Sequence, residues 1–210
     1  IDENGEFNLK DVAKQLEANK HNEWTPLEGD GDFRSPECIE LLKQSDIVVT
    51  NPPFSLFREY IKQLIDYGKK FLIIGNLNVI TYKEVFPLLK ENKVWLGVNN
   101  GPKIYQAPNY YEQKNIFTGT DGNKYAKMGN TGWFTNLDHG RRHEPLRLMT
   151  MEENRRYNKQ VQKNPDCYKK YDNYDAIEVP YVDAIPSDYS GVMGVPVSFF
   201  DKYNPDQFEI

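Results

Sequence analysis

The chain has 210 residues, a formal net charge of -5 and a pI near 5.3. That length suits one substantial domain, alone or with a smaller appendage, and the acidic balance excludes a uniformly basic protein that coats nucleic acid, while leaving room for a local basic patch. Cys38 and Cys167 are the only cysteines, too few for a disulfide framework or a four-cysteine zinc site. A reducing compartment fits this usage. With no apolar run of about 18 residues and no signal pattern, the chain is expected to be soluble and cytoplasmic, without membrane contact. The opening IDENGEF has no initiator Met, which fits a chain trimmed from a longer one.

From Asn8 to about Lys20, Leu9, Val12, Ala13 and Leu16 recur at helical spacing behind an Asn cap. A second helix is expected from Ser35, with Pro36 at its first position and Ile39, Leu41 and Leu42 as its buried face. DIVVT at 46–50 is a continuous β-branched run of the kind that lies inside a parallel sheet. After NPPF, Ser55 is expected to cap a helix whose apolar side is Phe57, Tyr60, Ile61, Leu64 and Ile65, stopped by Gly68. KFLIIG at 70–75 reads as another buried strand. Thr81 and Glu84 read as a capping box before Val85, Phe86, Leu88 and Leu89, and KVWLGV at 93–98 as a third strand. Strand, helix, strand, helix, strand with short connections predicts an α/β fold, a mostly parallel sheet with helices on both faces.

Past residue 100 the chain is rich in Tyr, Asn and Gly, and IFTGTDGNKYAKM reads as a hairpin turning near Asp121 and Gly122. GWFTNL at 132–137 reads as a further strand. Beyond Arg141 the periodicity weakens and Pro165, Pro180, Pro186, Pro196 and Pro205 divide the chain into short extended pieces, an irregular C-terminal region. Residues 141–170 carry nine Lys or Arg against four Asp or Glu, whereas 171–210 carry one against eight. A basic stripe beside an acidic tail suits a polyanion groove or a solvated surface.

NPPF at 51–54 interrupts this pattern, because two prolines in series remove two backbone donors and allow neither helix nor ladder to continue. In open α/β sheets, ligands bind beyond the carboxyl ends of the strands, where Asn51 falls. Its side-chain oxygen and the Pro52 carbonyl are two acceptors suited to one exocyclic amino group whose lone pair is conjugated into an aromatic ring. Bonds from both N–H hydrogens draw that nitrogen toward tetrahedral geometry and return density to the lone pair. Phe54 then stacks on the ring. Such a nitrogen needs an electrophile, and a methyl sulfonium is the common one.

DIVVTNPPF resembles the catalytic motif of S-adenosylmethionine-dependent amino-group methyltransferases. GDGDFRSPECIELLKQSDIVVTNPPFSLFREYI is similar to the EcoRI-type adenine-specific DNA methyltransferases, and the likeness continues through FLIIGNLNVITYKEVFPLLKENKVWLG and YDNYDAIEVP to GVMGVPVSFFDKYNPDQFEI. It covers about residues 24–210. The resemblance implies a class I methyltransferase fold and methyl transfer from S-adenosylmethionine to the N6 amino group of adenine in double-stranded DNA. By position it makes Asn51 and the Pro52 carbonyl the acceptors, Pro53 the shaper of the turn and Phe54 the stacking ring. It makes Asp32 and Phe33 the lining of the cofactor's adenine pocket, with Asp30 a rival acceptor. The family's opening strand and glycine-rich turn are not found, so the fold is expected to lack its first strands. Residues 1–140 are then an incomplete catalytic core and 141–210 a DNA-recognition segment, in a protein acting as a monomer.

Cys38 is separated from Pro36 by Glu37, so the Pro-Cys pair of pyrimidine-carbon methyltransferases is not formed and Cys38 reads as a packed helix residue. His21, His139 and His143 lack metal spacing, and no metal is expected. Arg141 and Arg142 in HGRRH, and Arg155 and Arg156 in RRYNKQVQKN, either meet DNA phosphates or lie on solvated surface. Two other functions stay open: a methyltransferase for RNA or a protein glutamine amide, and a non-catalytic DNA-binding or assembly module.

Overall fold

The computed structural model describes residues 26–210 together with Lys14 and Ala18, and divides into two compact units, Ile1–Gln44 and Ser45–Ile210. The helix expected over Asn8 to Lys20 lies outside the described residues except for Lys14 and Ala18, which are helical. In the first unit, α1 (Pro36–Gln44) starts as anticipated, Ser35 Oγ accepting from the Cys38 amide at 3.2 Å. Its anticipated burial is corrected. The helix buries none of its residues, Cys38 is only half-buried, and Leu41 is 50% exposed. Adjacent leucines sit about 100° apart around a helix, so Leu41 and Leu42 cannot both centre on one face.

The second unit runs β1 (Ile47–Thr50), α2 (Phe57–Asp66), β2 (Lys70–Asn76), α3 (Phe86–Lys90) and β3 (Trp95–Leu96), with the anticipated strand-helix alternation. A three-stranded antiparallel arm follows: β4 (Lys103–Gln106), β5 (Ile116–Thr118) and β6 (Lys124–Met128), ordered β4-β6-β5. The hairpin anticipated near Asp121 is its β5–β6 portion, with Gly122 at φ 79°. β7 (Thr131–Thr135) returns into the main sheet, whose order is β1-β2-β7-β3. β1 pairs with β2 in parallel, and β7 is antiparallel to both β2 and β3. The mostly parallel sheet is thereby corrected to a mixed one, because alternation of strands and helices says nothing about a later strand wedging between two earlier ones.

Coverage of both faces is corrected too. Val48 and Thr50, in register with Phe71 and Ile73, lie on the face that α2 covers. Ile47 and Val49 point the other way and are 49% and 65% exposed. β1 pairs on one side only among the described residues, so a run that reads as buried forms an edge here.

The covered face holds Phe57, Ile61 and Leu64 of α2, Phe71 and Ile73 of β2, and Phe134 of β7, all fully buried. Each such side chain stabilises by roughly 1.5–3 kcal/mol. Phe57 meets Phe134 edge-on, ring centres 5.1 Å apart, above Gly75. Ser55 does not cap α2. Instead Phe54–Leu56 form one tight turn closed by the Leu56 amide on the Pro53 carbonyl at 3.0 Å. Gly68, at φ 63°, ends α2 as expected, with the Gly68 amide on the Ile65 carbonyl and the Lys69 amide on the Leu64 carbonyl, both at 2.9 Å.

The capping box read at Thr81 and Glu84 is also corrected. Thr81 Oγ1 donates to the Asn78 carbonyl at the end of a tight turn, Leu77–Thr81, and α3 starts at Phe86. Pro87 is tolerated only in a helix's first turn, so it holds the start close to itself. The capping box that forms is Thr150 with Glu153, at the head of α4 (Met151–Tyr157). The C-terminal stretch is more regular than its prolines suggest: α5 (Lys159–Lys163), then a parallel pair β8 (Ala176–Glu178) and β9 (Val192–Gly194), over a core of Ile177, Val179, Ile185 and Phe199. Among the described residues no helix is long and apolar enough to cross a membrane.

A Cβ on Gly75 would stand 2.5 Å from Phe57 Cε2 and 3.0 Å from Phe134 Cε2, whereas one on Gly129 meets nothing within 4 Å. Gly75→Ala is therefore expected to lower stability by about 1–3 kcal/mol through overpacking. Urea unfolding of the two variants checks this, with Gly129→Ala close to wild type.

Candidate active site

β1 ends at Thr50, and the next four residues leave the sheet at its carboxyl edge. Pro52 is buried and anchors the bend, while Asn51 and Phe54 are exposed, the ring to 43%. The Pro53 carbonyl takes the Leu56 amide and the Phe54 carbonyl takes the Phe57 amide. No hydrogen bond among the described residues engages the Asn51 side chain or the Pro52 carbonyl. The two oxygens read as acceptors are thus uncommitted on a bend made stiff by two fixed proline φ angles.

Thr50 is in register with Ile73, so Asn51 stands beside the last residues of β2. There the edge is tied by asparagines that belong to no sequence motif. Asn130 Nδ2 donates to Asn76 Oδ1 at 2.9 Å and Asn78 Oδ1 at 2.7 Å, and the Asn78 amide donates to Asn76 Oδ1 at 2.9 Å. Asn130 itself has φ 55°, a left-handed conformation that Asn tolerates better than most residues. One turn on, Asn100 Oδ1 accepts from the Trp133 amide at 2.9 Å, and its Nδ2 donates to the Gly97 carbonyl at 2.6 Å and Asp201 Oδ1 at 3.0 Å. A cavity of about 690 Å³ opens beside these ties, lined in part by Leu77, Asn78, Asn100, Asn130, Ser198 and Lys202. The signal was present in the sequence as Asn at the ends of three strand-like runs, in NLN, VNN and GNTG.

The residues expected at the cofactor lie in the first unit. Asp32 Oδ1 accepts from the Arg34 amide at 2.8 Å and Arg34 Nε at 2.9 Å, and Oδ2 from Nη2 at 2.7 Å. These side-chain bonds from Arg34 hold the Asp32 carboxyl down at about 2. Asp30 Oδ1 accepts from the Asp32 amide at 3.0 Å, and the Arg34 guanidinium stands 5.4 Å from the Phe33 ring centre. Asp30 thus shapes the turn that presents Asp32.

The four arginines expected at phosphate separate into two kinds. Arg142 is 8% exposed, stacked 3.8 Å from the Trp95 ring centre and bonded to Asp138 Oδ1 at 3.2 Å and to Asn92 Oδ1. Its guanidinium is committed to the interior. Arg141 is tied to Asp201 Oδ2 at 2.9 Å and to the Val98 carbonyl. Arg155 and Arg156 lie exposed on α4, within cation–π reach of Tyr168 and Tyr157 at 5.8 and 5.2 Å.

His143 bridges two carboxylates distant in sequence, Nδ1 to Asp206 Oδ2 at 2.6 Å and Nε2 to Asp138 Oδ1 at 2.9 Å. Asp206 first, then Asp138, raise its pKa above the ordinary 6.5, while His143 lowers that of Asp138 below 3.8. The imidazolium's stabilising contribution is complete below pH 6.5 and fades as pH rises through the raised folded value. That of Asp138 is complete above 3.8 and is lost as pH falls through its lowered folded value. An NMR titration is expected to place the His143 midpoint above 6.5 and to bring it down toward that value in Asp206→Asn.

A family model described as adenine-specific methyltransferase EcoRI matches residues 1–210. Type II methyltransferase M.EcoRI of Escherichia coli is 55% identical over 186 residues, covering 87% of this chain and 54% of the relative. Type II methyltransferase M.MpnI of Mycoplasma pneumoniae is 43% identical over 190 residues, covering 88% and 57%. Type II methyltransferase M.MgeORF184P of Mycoplasma genitalium is 42% identical over 196 residues, covering 89% and 57%. The chain therefore spans a little over half the length of these relatives. No solved structure matches it. With a stiff NPPF bend at the carboxyl end of β1 and a family match from the first residue to the last, the chain belongs to the EcoRI adenine-specific methyltransferase family.

Proposed function

We propose that this chain provides the amine-activating part of a methyltransferase that modifies the N6 amino group of adenine in duplex DNA, a reading supported by a family described as adenine-specific methyltransferase and by relatives named type II methyltransferases. The observation that carries the reading is the pair of uncommitted oxygens, Asn51 Oδ1 and the Pro52 carbonyl, at the carboxyl end of an α/β strand. The sheet is read as the later part of a class I methyltransferase sheet. Along the edge of β1 left unpaired among the described residues further parallel strands would pair, and against its apolar outer face, Ile47 and Val49, their connecting helices would pack.

The target adenine is flipped from the duplex at a cost of a few kcal/mol, recovered by stacking on Phe54 and by the two hydrogen bonds. Asn51 and Pro52 accept both N–H hydrogens and pull the nitrogen toward tetrahedral geometry, so its lone pair is free to form the new N–C bond. S-adenosylmethionine, when bound, would supply the sulfonium methyl that this lone pair requires, the S–CH3 bond breaking as the N–C bond forms and its electron pair staying on sulfur as a neutral thioether. No residue of the bend forms a covalent intermediate, and the proton leaves to solvent once the nitrogen is substituted. The residues of the first unit suit the cofactor's adenine. An ionised carboxylate has about four acceptor sites, and Arg34 and its amide fill three on Asp32. One remains for an exocyclic amine, with Phe33 as the stacking ring and Asp30 holding the turn. Arg155 and Arg156 are the cations of the C-terminal segment best placed to meet phosphate, because both lie on its surface.

Asn51→Ala deletes a bond that strengthens as the nitrogen becomes tetrahedral. It is expected to lower turnover on duplex DNA by roughly 100- to 1,000-fold, the usual effect of losing one preorganised polar contact to the transition state, with duplex affinity unchanged. Radiolabelled methyl transfer to duplex DNA, structured RNA and protein, compared for both forms of the full-length protein, measures this. Turnover near wild type in the variant removes Asn51 from the reaction, and transfer to RNA or protein alone replaces the substrate.

A further inference from the structure

The arm formed by β4, β5 and β6 has no core of its own. An antiparallel sheet ordinarily buries one face, yet Ala107 is the only buried residue of 102–128. Ile104 is 59% exposed, Tyr105 49%, Phe117 43% and Tyr110 82%. Ile104 is in register with Lys127, and Gln106 and Phe117 with Tyr125. Since strand side chains alternate, these five share one face. Phe117 and Tyr125 stack on it, ring centres 5.9 Å apart. The tip is preorganised: Asp121 accepts from Tyr125 Oη at 2.6 Å, the Asn123 amide at 3.1 Å and Asn123 Nδ2 at 2.9 Å, and the Gly119 amide donates to the Asn123 carbonyl at 2.8 Å. An apolar surface held this firmly is suited to contact.

Charge and position indicate the partner. Residues 102–128 carry four lysines against Glu112 and Asp121, a local net of +2 in a chain of net -5. Lys114 and Lys127 make no ion pair among the described residues. The arm leaves the main sheet at the carboxyl edge that bears Asn51: its root is the Gly101 amide on the Thr131 carbonyl at 3.2 Å, and Thr131 is in register with Asn76 at the end of β2. Strands lie about 4.8 Å apart, so the root stands two strand spacings, roughly 10 Å, from β1. Past the Thr118–Lys124 pair the arm narrows to the β5–β6 hairpin tip, closed by the Gly119 amide on the Asn123 carbonyl at 2.8 Å, and a DNA major groove, about 12 Å wide, admits a two-stranded hairpin of this kind.

We propose that residues 102–128 are a DNA-gripping arm that enters a groove of the substrate duplex beside the target base, with Ile104, Phe117 and Tyr125 against bases and sugars and Lys114 and Lys127 on phosphates. The proposal rests on duplex DNA being the substrate.

The test uses the full-length protein. Photo-crosslinking to a duplex carrying 5-iodouracil near the target adenine, followed by peptide mapping, is expected to label residues within 104–125. Labelling confined to other segments overturns the proposal. In binding titrations Lys114→Ala/Lys127→Ala is expected to reduce the salt slope by about two, one per lost phosphate contact. Ile104→Ser/Phe117→Ser is expected to weaken duplex binding at least about 10-fold with S-adenosylmethionine affinity unchanged, since each group contacts DNA and not the cofactor. If instead the serine pair lowers thermal stability or dissociates an oligomer while duplex affinity holds, the arm packs against protein and the proposal falls. The crosslinking result stands whether or not that variant folds. A wild type that transfers no methyl to duplex DNA refutes the functional reading; one that does so while its crosslinks avoid the arm refutes the arm alone.

Discussion

The contact on which the rest of the second unit depends is Phe57 seated over Gly75 and edge-on to Phe134. Phe57 is the first residue of α2 and lies three positions after the end of NPPF, so whatever holds its ring holds the exit of the bend. The seat exists because Gly75 has no side chain. Phe134 reaches it from β7, the strand inserted antiparallel between β2 and β3, and so three elements distant in sequence meet where the NPPF bend leaves the sheet. Burial of Pro52 and Phe57 leaves Phe54 exposed between two fixed points and Asn51 exposed directly before the first of them. Preorganisation of this kind matters because hydrogen bonds that must wait for the protein to rearrange stabilise a transition state less.

A second constraint is polar. The carboxyl edge gathers strand ends whose backbone groups have lost their ladder partners, and such groups must be satisfied when removed from water. Asn76, Asn78, Asn100 and Asn130 meet that need with short amide side chains that both donate and accept. The same amides fix the roots of the β4–β6 arm and the wall of the neighbouring cavity. The edge is therefore rigid where ligand chemistry is proposed, and the arm that leaves it is set at a defined place.

The C-terminal region adds a third layer of attachment. Arg142 lies under its cation–π partner Trp95, and Arg141 and Asn100 both reach Asp201, so residues from near 95, 140 and 200 close on each other. HGRRH reads as either a phosphate-binding cluster or a solvated surface, because consecutive basic residues are commonly exposed. Burial of Arg142 against Trp95 and Asp138 gives it a structural role, while Arg155 and Arg156 stay on the surface of a helix capped at Thr150.

The sequence by itself determined most of the local elements and the place of the bend. DIVVT, KFLIIG, the periodic run from Phe57 and the stop at Gly68 are short-range patterns, legible because strand and helix periods and a left-handed glycine are properties of neighbouring residues. NPPF was legible as a bend that ends the strand for the same reason, and its likeness to a family pointed to the family to which the chain belongs. Tertiary structure alone decided which strand stands next to which. No residue of GWFTNL states that it will run antiparallel between two earlier strands, and none of DIVVT states that half of it will be exposed, because pairing order and coverage are set by surfaces far apart in the chain. Two Thr-x-x-Glu sequences look alike locally, yet only Thr150 caps a helix, since Pro87 moves the other start. The asparagine ties and the interior place of Arg142 likewise depend on which chain segments arrive at one edge, a matter of long-range packing that local pattern does not encode.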